Sequence, residues 1–127
     1  MERSILIVDD CAAMRRVIRR ILDMSGFAVG ECYEAGDGEQ ALSVLGQHRV
    51  DLILSDVNMP RLDGEGLLER LTRDEKMRAV PVIMVTSDAT QSRAARLLGM
   101  GAKGYLVKPF QPEALRAELE RVMEHIQ

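Results

Sequence analysis

Four short apolar runs recur along the chain, each ending on polar residues, and between them the apolar spacing changes to that of helices. Ile5-Leu6-Ile7-Val8 runs into Asp9-Asp10, and Leu52-Ile53-Leu54-Ser55 runs into Asp56. Val82-Ile83-Met84-Val85 leads to Thr86-Ser87, and Leu106-Val107 to Lys108-Pro109. Unbroken apolar runs of this length fit strands covered on both faces, as in a parallel sheet. Met14, Val17, Ile18, Ile21 and Leu22 keep the i, i+3, i+4, i+7, i+8 spacing of an amphipathic helix, closed by Gly26 as a C-terminal cap. Ala41, Leu42 and Leu45 predict a second helix, from Asp37-Gly38 to Gly46. Leu67, Leu68 and Leu71 predict a third after Gly64. Ala94, Ala95, Leu97 and Leu98 predict a shorter, less apolar fourth ending at Gly99. Leu115, Leu119, Val122 and Ile126 predict a fifth, with Pro112 in its first turn. Strands are expected near 4–8, 28–34, 51–55, 81–86 and 104–107. Five alternations of this kind predict an α/β fold, a parallel sheet with helices on both faces. Right-handed crossovers then gather the loops that follow the strands at one edge, where ligands bind.

At 127 residues, with no repeat, low-complexity tract or Pro/Ser-rich linker, the chain reads as one domain spanning 1–127. A net charge of −3 gives no general attraction to nucleic acid or anionic membrane. Met1 to Ser4 is followed by only four apolar residues, too few for a signal peptide or a membrane span, so a cytoplasmic protein is expected. Cys11 and Cys32 read as reduced thiols, and His48 and His125 as solvated residues near helix ends.

The polar strand ends carry the chemistry. Brought to one edge, they supply three carboxylates, a hydroxyl and an ammonium. Bare carboxylates repel a phosphoryl donor, so a cation must stand between them. Mg²⁺ fits, with its preference for oxygen ligands and its need for only one or two carboxylates plus substrate oxygens. The most central carboxylate could then act as a nucleophile toward phosphorus and form an acyl phosphate. Taken alone, Asp10 or Asp56 would read as a helix N-cap and Lys108-Pro109 as a plain turn; their convergence at one edge favours a site. Rival chemistries fail on residues. The loop after the first strand, Asp9-Asp10-Cys11-Ala12, is not a flavin phosphate loop, a G-x-G-x-x-G turn or a G-x-x-x-x-G-K-[ST] loop. Asp56-Val57-Asn58 lacks the second aspartate of a haloacid dehalogenase phosphatase.

The whole chain resembles the receiver domains of two-component response regulators. The resemblance rests on Val8-Asp9-Asp10, Ser55-Asp56-Val57-Asn58-Met59-Pro60, Leu62-Asp63-Gly64, Met84-Val85-Thr86-Ser87, and the run from Gly101 to Phe110 that includes Tyr105 and Lys108-Pro109. It implies a flavodoxin-like (βα)5 fold with strand order 2-1-3-4-5. It implies Asp56 as phospho-acceptor, and Mg²⁺ (or Mn²⁺ in its place) held by Asp9, Asp10, Asp56 and the backbone carbonyl of Asn58. Thr86 and Lys108 would bind the phosphoryl oxygens, the Lys108–Pro109 bond would be cis, and Tyr105 would report the state of Thr86. Asn58 and Asp88 would line the approach of hydrolytic water. The chain would catalyse only its own phosphorylation and dephosphorylation.

Met14-Arg15-Arg16 after the acid pair, Asn58-Met59-Pro60 and Tyr105 look like the stand-alone chemotaxis kind, with no output domain. The implied partners are a sensor histidine kinase, a target such as a flagellar motor switch component, and a phosphatase, with no nucleic acid or membrane. Val57, Cys11 and Asp88 depart from that kind, where an aromatic often stands at the first position and Glu at the last. A receiver taken from a longer regulator, or a phosphorelay intermediate, stands as the alternative. Arg15, Arg16, Arg19 and Arg20 form a basic stripe on the first helix that reads equally as a docking face or a solvated one.

Overall fold

The computed structural model describes residues 2–124. The predicted Ile126 anchor and His125 lie outside the described residues. Strands β1 (Arg3–Val8), β2 (Val29–Ala35), β3 (Leu52–Asp56), β4 (Val82–Thr86) and β5 (Gly104–Val107) alternate with helices α1 (Ala12–Ser25), α2 (Gly38–Gln47), α3 (Gly64–Thr72), α4 (Gln91–Gly99) and α5 (Pro112–Glu124). The strands form one parallel sheet in the order β2-β1-β3-β4-β5, so the doubly wound, flavodoxin-like (βα)5 fold is present.

The strand alternation divides the core in two. Leu6, Val8, Ile53, Val82 and Met84 face one way and pack with Leu67, Leu68, Leu71 and Leu97, which places α2, α3 and α4 on that side. Ile5, Ile7, Leu52, Leu54, Ile83 and Val85 face the other way, toward Ile18, Leu22, Leu115, Leu119 and Val122 of α1 and α5. Both faces being covered is why the central strands read as apolar runs and not as alternation.

Two expectations need correction. Strand β3 ends on Asp56 and not before it, and β2 is displaced one residue toward Ala35. Val17 and Leu98, placed by spacing on core stripes, are 49% and 46% exposed. The reason is width: the sheet and α5 cover only the Ile18/Leu22 line of α1, and only Leu97 of α4 is buried.

Register decides where the polar ends meet. Val8 is level with Ser55 and Asp56 with Val85, so Asp9 and Asp56 stand side by side and Thr86 lies one step beyond. Thr86 is level with Val107, which puts Lys108 next in line.

Candidate phosphoryl and metal site

Asp9, Asp10 and Asp56 each offer a carboxylate oxygen within 4.8 Å of the others. Their surroundings differ. Asp9 is buried, and its Oδ1 accepts from the Cys11 amide at 2.9 Å. Asp10 is exposed. Asp56 is partly buried, and its Oδ1 accepts from the Val57 amide at 2.8 Å. Neither Asp10 nor Asp56 caps a helix: Cys11 holds the N-cap position of α1 without a side-chain bond. Capping is done by Asp37, Asp63 and Thr90, at the starts of α2, α3 and α4.

The Lys108 ammonium reaches in from the end of β5, 3.4 Å from Asp9 Oδ2 and 3.4 Å from Asp56 Oδ1. Its backbone amide is anchored on the Thr86 carbonyl at 2.7 Å, and the Lys108–Pro109 bond is cis. Burial raises the Asp56 carboxyl above its ordinary value; Lys108 opposes this and the Asp9 charge adds to it. With the Lys108 ammonium shared between two of the three clustered carboxylates, the group is short of positive charge among the described residues. The oxygen-only donor set suits a hard divalent cation.

Thr86 is buried, and its hydroxyl accepts from the Asp88 amide at 3.1 Å. The Tyr105 hydroxyl donates to the Asp88 carbonyl, joining β5 to the loop after β4. Asn58 and Asp88 are exposed at the rim. Asp9, Asp10, Asp56, Thr86 and Lys108 therefore meet at the C-terminal edge of the sheet, while Tyr105 lies farther back within β5, level with Met84.

Sequence reading missed the frame around the site. Asp37 is fully buried; it accepts from Gln40 N at 2.8 Å and Arg61 Nε at 2.5 Å, and the Gln40 bond leads in holding its carboxyl below the usual value. Arg61 lies in the left-handed region at φ 65°. The Asp-Gly pairs at 37–38 and 63–64 were the available signal. On α1 the basic stripe divides: Arg15 and Arg19 pair with Glu34, while Arg16 and Arg20 flank the exposed Val17 and Met24. Nearby, Met14, Ile18, Ile21 and Phe110 line an apolar cavity of about 320 Å³ that reaches Lys108. Cys11 and Cys32 are free thiols, and His48 is exposed but stacks on Tyr33 with ring centres 4.5 Å apart.

Asp10→Asn is expected to weaken Mg²⁺ binding at least about 10-fold, as removing one oxygen of the acidic group that could hold the ion should cost no less than losing an outer-shell partner. Stability without metal should stay level or rise, because one of three crowded charges is gone. An Mg²⁺ titration beside urea denaturation in chelator checks both; a clear apo destabilisation would make Asp10 a structural residue.

Among the described residues no helix is long and apolar enough to cross a membrane. The chain is 38% identical over 123 residues to the chemotaxis protein CheY of Pseudomonas aeruginosa, a match covering 97% of this chain and 98% of that protein. The solved structure of the chemotaxis response regulator CheY4 of Vibrio cholerae superposes with a TM-score of 0.84 at 33% identity, covering 96% of this chain and 99% of that one. The signal receiver domain of a signal transduction histidine kinase from Syntrophus aciditrophicus gives 0.84 at 30% identity, covering 98% and 92%. The response regulator receiver domain profile matches residues 5–120, which includes the acid pair, Asp56, Thr86 and Lys108. With that match covering all but the first two residues of the five-stranded sheet, the chain belongs to the response regulator receiver domain family.

Proposed function

We propose that this receiver takes a phosphoryl group from a sensor histidine kinase onto Asp56 and thereby changes its affinity for a target, in chemotaxis a flagellar motor switch component. The observation that carries this is the grouping of Asp9, Asp10 and Asp56, with the Lys108 ammonium 3.4 Å from both Asp9 and Asp56. Asp9, Asp10, Asp56 and the Asn58 carbonyl would hold Mg²⁺, which when bound neutralises carboxylate and phosphoryl charge and polarises the phosphoryl oxygens. Asp56 attacks phosphorus while the bond to the kinase imidazole breaks and the imidazole leaves. Lys108 and Thr86 stabilise the phosphoryl oxygens. Asn58 and Asp88, at the rim, set the access of hydrolytic water and so the lifetime of the acyl phosphate, with or without a phosphatase. The cytoplasm is the expected compartment.

Small-molecule phosphodonors should phosphorylate the protein with Mg²⁺ or Mn²⁺ present and fail in excess chelator, as read by intact mass. Full phosphorylation in chelator would sink the proposal.

The same reading extends to a switch. A phosphoryl group adds strong acceptor oxygens beside Thr86, whose hydroxyl now serves the Asp88 amide. Drawing Thr86 toward phosphate opens space behind it. Tyr105 then leaves the Asp88 carbonyl and turns inward, remodelling the surface of α4, β5 and α5. Such coupling is typically worth ~1–3 kcal/mol, about 5- to 150-fold in partner affinity. Thr86→Ala should still accept phosphate but show little change in the Tyr105 side-chain NMR signal. An equally large shift in wild type and variant would refute the coupling.

A second reading, a receiver working inside a longer regulator or a phosphorelay, is favoured by the likeness to the receiver of a histidine kinase. A native reading frame extending past Gln127 into another domain would decide for it.

A further inference from the structure

We propose that Glu65 is a positioning residue for the switch: with Arg93 and Arg96 it forms an ionic latch between α3 and α4 that holds α4 in its unphosphorylated place. The regulatory half of this rests on the phosphoryl switch proposed above; the latch itself does not.

Helix α4 has little else to hold it. Leu97 is its one buried residue, and Leu98 is exposed. Its N-cap bond, from Arg93 N to the Thr90 hydroxyl, is long at 3.4 Å. Across from it, Glu65 stands in the first turn of α3 with its carboxylate mostly covered. Arg96 donates to both oxygens of Glu65, from Nε at 3.3 and 3.2 Å and from Nη2 at 3.1 Å. Arg93 adds a contact from Nη1 at 3.3 Å. Arginines three apart on a helix face repel each other, and one carboxylate between them turns that repulsion into a shared contact. The bonds from Arg96 lead in holding the Glu65 carboxyl below its ordinary value, so it stays ionised across the neutral range.

The latch is joined to the switch through Arg93. Arg93 N donates to the Thr90 hydroxyl, Thr90 N donates to Asp88 Oδ1 at 3.0 Å, and the Asp88 carbonyl accepts the Tyr105 hydroxyl bond that phosphorylation would break. The Arg93 Nε is buried and lacks an acceptor among the described residues, so Arg93 is the weaker anchor and the bidentate Arg96 the stronger. Isolated exposed ion pairs contribute little. This one matters because the helix it holds is otherwise weakly packed and lies next to a two-state element, where a modest bias is visible as a change in population.

The test compares wild type, Glu65→Gln and Arg96→Gln by amide hydrogen exchange and tyrosine NMR, with Tyr33 as internal reference. Without any phosphoryl mimic, exchange of α4 amides should quicken about 2- to 5-fold in both variants while α5 amides keep their rates. The Tyr105 signal should move part of the way toward its position with beryllofluoride and Mg²⁺. Wild type in ~1 M salt, where the Debye length is about 3 Å, should shift the same way. Unchanged α4 exchange in both variants would overturn the latch. Faster α4 exchange with Tyr105 unmoved would overturn its hold on the switch. If beryllofluoride leaves wild-type Tyr105 unmoved, the phosphoryl switch fails instead, and the α4 exchange rates still judge the latch. Should Glu65→Gln fail to fold, Arg96→Gln, on a side chain 62% exposed, gives the same readout.

Discussion

Asp56→Asn is expected to carry no phosphoryl group with any donor and to be more stable than wild type when divalent cations are absent. The first outcome follows from removing the carboxylate oxygen proposed to attack phosphorus, and intact mass after donor treatment reads it as full loss. The second follows from the surroundings of Asp56. Burial raises its carboxyl above the ordinary value of 3.8, outweighing the attraction of Lys108. A group with a raised folded-state pKa favours the folded state below its unfolded value, and that contribution is lost as pH rises through the folded value. At neutral pH the ionised Asp56 therefore weakens the apo protein, and an amide of the same shape relieves it. Lys108 keeps Asp9 as a partner at 3.4 Å, so the variant leaves no ammonium stranded. Urea denaturation in chelator should show the variant ahead at pH 7, with the gap closing as pH falls into the carboxylate range. Phosphorylation at undiminished level would move the acceptor elsewhere; an apo protein destabilised at every pH would make Asp56 a structural group.

Gly64→Ala should cost about 1–3 kcal/mol or more and impair the site with it. A Cβ at Gly64 would lie 2.3 Å from the Asp56 carbonyl oxygen, and 2.8 Å from both Val57 Cα and the Met84 side chain. Two of these are backbone atoms that cannot rotate aside. The Gly64 amide also donates to the Val57 carbonyl at 2.8 Å, so α3 starts hard against the end of β3. Adding one methyl group must push either the helix or the Asp56–Asn58 backbone, which bears the proposed acceptor and the proposed metal-binding carbonyl. The matched control is Gly46→Ala, where nothing lies within 4 Å of the new Cβ and helix propensity should raise stability by up to about 1 kcal/mol. Urea midpoints of the two variants, with Mg²⁺ affinity beside them, check the contrast. A Gly64→Ala protein as stable as wild type would show that the close approach is not required.

The same contrast shows what kind of information each residue carried. The apolar runs at 5–8, 52–55 and 82–85 announced strands because a sheet covered on both faces admits no polar alternation, and that pressure is written locally. Gly26 announced the end of α1 because its φ of 78° suits a residue without a side chain. Asp9, Asp10, Asp56, Thr86 and Lys108 stood out because polar groups directly after buried strands have few reasons to be there. Spacing erred where the burying surface was elsewhere in the chain: Val17 and Leu98 belong to apolar stripes, but how much of a stripe is covered depends on the partner and not on the helix.

The sequence by itself determined the order of elements, the parallel sheet and the set of polar strand ends, since periodicity, glycine caps and strand-end residues are properties of neighbours along the chain. Only the tertiary structure decided which of three aspartates is buried, which is partly buried and which is open, because burial is set by segments tens of residues away. It alone decided that Lys108 is equidistant from Asp9 and Asp56, through the register of β1, β3, β4 and β5. Glu65 and Arg96 are 31 residues apart and neither forms a motif, so their pairing became visible only when two helices were laid side by side on one face of the sheet.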